Sequence, residues 1–141
     1  MKRVFLAALA LGMVMSILSA TGCSSGDADL EGKRWVLESY GDRGSPTIII
    51  EDSTVSAEFT EGQINGSAGC NNYFGSYEVS GKNLTFGPVA STEMYCMDPE
   101  GIMDQEYAYL KSLGQAETYE ISGGKLLITC TGDQLLTFEE E

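Results

Sequence analysis

Apolar and polar residues alternate with period two through most of this chain, and the alternating runs are joined by turns too tight for anything but antiparallel neighbours. Val55, Ala57 and Phe59 alternate with Ser56, Glu58 and Thr60; Glu61-Gly62 then turns the chain into Gln63-Ile64-Asn65. Tyr77 and Val79 lead through Gly81-Lys82 to Leu84 and Phe86. Tyr119 and Ile121 lead through Gly123-Gly124 to Leu126, Ile128 and Cys130, and Thr131-Gly132-Asp133 turns into Leu136 and Phe138. Trp35 and Leu37 alternate near the start, and Ile48 to Ile50 form a short apolar run. So many half-buried strands predict a mainly β fold: a small antiparallel β-barrel of about eight short strands, whose closure leaves few free edges. The interior side chains expected are Trp35, Phe59, Tyr77, Phe86, Ile128 and Phe138.

One α-helix interrupts the strands. Asp98 suits the N-cap, Pro99 the first helical position, Glu100 and Asp104 the positive end of the dipole, and Gly114 a left-handed end. Ile102, Met103, Glu106, Tyr107, Leu110 and Leu113 fall on one side at helical spacing, which predicts the face that packs on the barrel. Glu106 is the odd member of that face and reads as a boundary carboxylate bonded to backbone, with no partner base in view.

The first 22 residues stand apart. Lys2 and Arg3 precede an apolar run from Val4 to Leu18, and "SATGC" follows. This is the pattern of an export signal, and the small residues before Cys23 predict a lipoprotein box, with cleavage before Cys23 and a diacylglycerol on its thiol. Residues 1–22 are thus expected to be a signal peptide, 23–31 a flexible tether and 32–141 the folded domain. The protein is expected to be exported and held to a membrane, at the periplasmic face or the cell surface, through the lipid on Cys23.

The 141 residues carry 21 acids, 8 bases and no histidine, a formal charge of −13; loss of Lys2 and Arg3 with the signal lowers it by two, to −15. Phosphate binding needs clustered Lys and Arg, so nucleic acid is excluded as a partner, and a grip on anionic lipid is disfavoured.

Trp35-Val36-Leu37, "INGSAGCNNYFGSY" from Ile64 to Tyr77, "STEMYC" from Ser91 to Cys96, the helix through Glu106 to Leu113, and Leu126-Leu127-Ile128 with Leu136 and Phe138 resemble, in order and spacing, the META domain of HslJ-like heat-shock lipoproteins. The resemblance implies a small antiparallel barrel with one helix, an envelope location, and a link to heat stress and novobiocin resistance. It implies no enzymatic reaction. Cys130 is an extra cysteine that the family motif does not require.

The chemistry open to these residues is narrow. Absence of histidine removes Ser-His-Asp and Cys-His catalysis and the common zinc sites. An activated Cys70 thiolate needs an electropositive setting that this acidic chain lacks, and no CxxC pair gathers Cys70, Cys96 and Cys130 on a metal. The acids Asp27, Asp29, Asp98, Glu100 and Asp104 lack calcium-loop spacing, and the glycines lack phosphate-loop spacing. No catalytic residue, metal site or cofactor is expected.

Among exported chains a disulfide is the natural use of cysteine. Cys70 and Cys96 are the two cysteines of the family motif, and a bridge between them is worth roughly 3 to 4 kcal/mol by loop closure. Cys130 then reads as a small buried residue on the Leu126/Ile128 face. Pairing of Cys130 with Cys70 or with Cys96 stays open on sequence grounds.

Asn71, Asn72, Tyr73 and Phe74 read as turn and core residues, or as a binding loop at the barrel mouth or on a partner-binding patch. Asn65 and Asn83 begin glycan-acceptor triplets. Two functions follow: a non-enzymatic, lipid-anchored envelope protein that serves stress response or antibiotic tolerance by binding an envelope partner, or a barrel that holds a small apolar or amphipathic molecule.

Overall fold

The computed structural model describes residues 27–141; the signal peptide expected over residues 1–22 and the expected lipidation site at Cys23 lie outside the described residues. A short helix, α1 (Asp27–Leu30), leads into ten strands and a second helix. In chain order these are β1 (Arg34–Asp42), β2 (Thr47–Ile48), β3 (Ser56–Thr60), β4 (Gln63–Ser67), β5 (Asn72–Ser80), β6 (Asn83–Phe86), β7 (Ala90–Ser91), α2 (Ile102–Leu113), β8 (Ala116–Ser122), β9 (Lys125–Cys130) and β10 (Gln134–Glu140).

Eight of the strands close a barrel in the order β1-β3-β4-β5-β6-β8-β9-β10, with β10 returning to β1; β2 and β7 are two-residue additions on β1 and β5. Every ladder is antiparallel. The expected turns set the register, so that Phe59 faces Ile64, Val79 faces Leu84, and Ile121 faces Leu126. At Gly123-Gly124 both φ angles are positive (60° and 75°), which lets two residues reverse the chain without a side-chain clash. At Gly66 the requirement is space: a Cβ there would stand 1.9 Å from the Ser56 carbonyl oxygen of the neighbouring strand.

Alternation delivers one continuous core. Trp35, Phe59, Ile128 and Phe138 are buried, Tyr77 is nearly so, and Phe86 is half-buried against Phe59. Cys130 lies in this core as expected, free and buried.

Three expectations need correction. The end of the tether is folded: Leu30 is fully buried, its carbonyl accepts a hydrogen bond from Trp35 Nε1 (3.1 Å), and Glu31 Oε1 accepts from Tyr77 Oη (2.7 Å) and from the Glu61 amide (2.8 Å). Helix α2 starts at Ile102, with Gly101 in place of Asp98 as N-cap; Gly101 at φ 84° lies outside the helical region, so no helical run reaches back to Pro99, whose peptide bond with Asp98 is cis. Gly114 ends the helix in right-handed geometry, its amide still bonded to the Leu110 carbonyl.

The buried face of α2 also differs. It comprises Ile102, Gln105, Glu106, Tyr109, Ser112 and Leu113, whereas Met103 and Leu110 are half-buried and Tyr107 is exposed. The core stripe is rotated because Gln105 finds polar partners below it: its Oε1 accepts from the Ile50 amide (2.8 Å) and its Nε2 donates to Ser53 Oγ (2.9 Å).

Candidate functional site

Cys70 and Cys96 are bonded to each other, with Cα atoms 5.9 Å apart, so the segment that links β7 to α2 is stapled to the turn before β5. The resemblance-based pairing holds and the two pairings with Cys130 do not. Burial pushes the Cys130 thiol up to about 12, far from a reactive thiolate.

Asn71 is the hub of the staple. Its Nδ2 donates to Glu106 Oε1 (2.7 Å) and to the Met94 carbonyl (3.0 Å), while its Oδ1 accepts from Thr92 Oγ1 and from the Met94 amide (both 2.7 Å). Glu106 Oε2 in turn accepts from the Asn71 and Cys70 amides (2.7 and 3.1 Å). Glu106 is therefore the backbone-bonded carboxylate expected, and it fixes α2 to the stapled turn. At Gly69 (φ 117°) a Cβ would come within 2.9 Å of Ile102 Cδ1, so glycine permits α2 to approach.

The four residues read as a binding loop are split by this arrangement. Asn72, Tyr73 and Phe74 belong to strand β5, so period two sends Tyr73 inward and Asn72 and Phe74 outward, and Asn71 is buried. Tyr73 Oη donates to the Ser56 carbonyl (2.9 Å), which leaves Tyr109 as the donor in the 2.6 Å bond between the two phenols. Burial raises both phenols' pKa values. Asn71 and Tyr73 are structural, and only Asn72 and Phe74 remain available to a partner.

The surface that sequence reasoning missed lies on the other side of the staple. Thr92 to Pro99 is pinned by Asn71 and Cys70, and the Cys96 amide donates to Met103 Sδ (3.4 Å). Pinned at these points, the segment turns its large side chains outward: Tyr95 is 80% exposed, Met97 79% and Met94 54%, and Tyr107 on the adjoining face of α2 is 70% exposed. The signal was present in "TEMYCM", where three large apolar residues surround a motif cysteine and no alternation assigns them to a core. Such a cluster is unusual on a protein surface without a partner.

Among the described residues, no group of three or more Cys, Asp or Glu is placed to hold a metal ion, and no helix is long and apolar enough to cross a membrane.

A closed eight-stranded antiparallel barrel with one core helix and a disulfide-stapled segment defines the class. The META domain family profile matches residues 28–141, and the chain belongs to that family. An NMR structure of a protein from Burkholderia xenovorans is similar over 99% of this chain and 97% of its own, at 22% identity and a TM-score of 0.69. A second NMR structure is similar over 80% of this chain and 92% of its own (25% identity, TM-score 0.62). A crystal structure of a DUF4847 family protein from Bacteroides vulgatus shares the fold at 12% identity, over 81% of this chain and 96% of its own, with a TM-score of 0.58. Among curated proteins none matches the chain.

Proposed function

We propose that this protein is a lipid-anchored, non-enzymatic envelope protein that serves stress response or antibiotic tolerance by binding an envelope partner through the surface of Met94, Tyr95, Met97 and Tyr107. The observation that carries the reading is that a disulfide and a buried Asn-Glu clamp hold a segment whose large side chains face solvent. Rigid presentation of methionine and tyrosine lowers the ordering cost of association, and aromatic anchors are what binding hot spots use. The stress role rests on membership of the META family, and the anchor on the Cys23 box. The Cys70–Cys96 bridge suits an oxidising compartment. The container reading is the weaker of the two, because Trp35, Phe59, Ile128 and Phe138 all point into the barrel and pack in one buried cluster.

A photo-crosslinking side chain at position 95, in cells, tests the reading. A discrete adduct from that position, none from exposed Glu120, and its loss in Met97→Asp/Tyr107→Asp are expected. No adduct from positions 94, 95 or 97 overturns partner binding. Cys23→Ser should separately abolish acylation, and an acylated, membrane-bound variant refutes the anchor.

A further inference from the structure

Three hollows open along the solvent side of α2. The first, about 250 Å³, lies between Tyr95, Met97 and the start of the helix; the second, about 390 Å³, lies over Tyr107; the third, about 430 Å³, lies beside Phe86 and Val89. Met103 lines the first and the second, and Leu110 lines the second and the third, so the three form one groove. Met103, Tyr107, Leu110 and Gly114 are one stripe of the helix, and the 12 residues of α2 give the groove a length of about 18 Å, three turns of a second helix laid alongside.

The charge along this groove is uneven. Glu100 and Asp104 line the first hollow, which has no Lys or Arg in its lining, and Glu93 and Asp98 are exposed on the segment before it; the second hollow is lined by the inward-turned Glu106 and by Lys111, so the carboxylate rim belongs to the end at the start of α2. An apolar floor with a carboxylate rim at one end is the complement of an apolar stripe that carries Lys and Arg over that end. It repels an anionic lipid surface. Unbranched methionine side chains adapt to whatever apolar residues enter.

We infer that the groove along α2 binds a cationic amphipathic helical segment of an envelope protein, apolar stripe down on Met97, Met103, Tyr107 and Leu110, with its basic residues over Glu100 and Asp104 at the start of α2. This deepens the partner-binding reading and rests on it. The reasons are complementary charge, a floor at the spacing of a helix face, and a length that matches a helix of about three turns.

The test uses the full-length protein in neutral detergent and a fluorescent 18-residue peptide with leucine at i, i+3, i+4 and i+7 and flanking lysines. Micelle partition is common to every protein variant, so differences between variants report the groove. The expected result is saturable binding that weakens at least tenfold in Glu100→Lys/Asp104→Lys, and equally in Met97→Ser/Tyr107→Ser, with unchanged melting temperatures. The same peptide with glutamate for lysine should not bind. Equal affinity for the glutamate or a scrambled peptide, or no loss in the charge-reversed protein, overturns the inference. Should position 95 crosslink a partner in cells while the lysine peptide fails to bind, the helix assignment falls and partner binding stands; loss of the crosslink removes both.

Discussion

Replacing one nitrogen by oxygen at Asn71 tests the clamp on which the exposed surface depends. In Asn71→Asp the atom that now donates to Glu106 Oε1 at 2.7 Å and to the Met94 carbonyl becomes a carboxylate oxygen facing two acceptors. Two unit charges about 4 Å apart repel by about 4 kcal/mol at an effective dielectric of 20. At 1.36 kcal/mol per pKa unit this equals about three units, which lifts the aspartate from about 3.9 in the unfolded chain to about 7 in the fold. A carboxyl with a raised folded pKa favours the fold below about pH 4 and loses that contribution as pH rises through about 7. The variant should therefore lie about 4 to 6 kcal/mol below wild type at about pH 8, the Coulomb term plus a broken neutral hydrogen bond, and within about 2 kcal/mol near pH 4.5, where the protonated oxygen can donate to Glu106 in place of Nδ2. Urea unfolding of both proteins at the two pH values, with the disulfide intact, measures this. A deficit that is the same at both, or larger in acid, would mean that no carboxylate faces position 71.

Cys70→Ser and Cys96→Ser should each cost about 2 to 5 kcal/mol and the double variant little more, because both remove one bond; a double-mutant cycle in denaturant checks this, and additive losses refute it. Between residues 27 and 141, thiol titration should find Cys130 alone, silent in the native state and reactive on unfolding. Gly66→Ala should destabilise by about 3 kcal/mol or more or prevent folding, since its Cβ meets a strand carbonyl and not a movable side chain; a normal melting temperature would refute the close approach. Tyr109→Phe should cost only about 1 kcal/mol, since Tyr73 keeps its bond to Ser56, whereas Tyr73→Phe orphans both neighbours and should cost about 2 to 4 kcal/mol in the same assay.

The barrel was legible because its information is local. Glycine-containing turns at 61–62, 81–82 and 123–124 between strands of alternating polarity set both turn and register, and all three hairpins form where the pattern puts them. Helix α2 was legible as an element but not as a face. Met103, Tyr107 and Leu110 outweigh Gln105 and Ser112 on any apolarity count, yet Gln105 goes inside because Ile50 and Ser53, more than fifty positions away, satisfy its amide. The same blindness hid the role of Asn71, whose partners at Thr92, Met94 and Glu106 lie more than twenty positions away and are brought to it by the fold. Sequence pattern records what a residue prefers, and a buried polar side chain follows what its neighbours offer.

Closure of the barrel by β10 against β1 has a consequence for biogenesis. Lys33 and Glu140, 107 positions apart, meet across the seam, and β10 spans the gap between β9 and β1. Until β10 is made, the nascent chain holds two unpaired sheet edges and an open end to its core, a state that invites aggregation and proteolysis. The last strand of the domain is therefore its latch, and a chain that lacks β10 is a substrate for quality control instead of a shortened but serviceable protein.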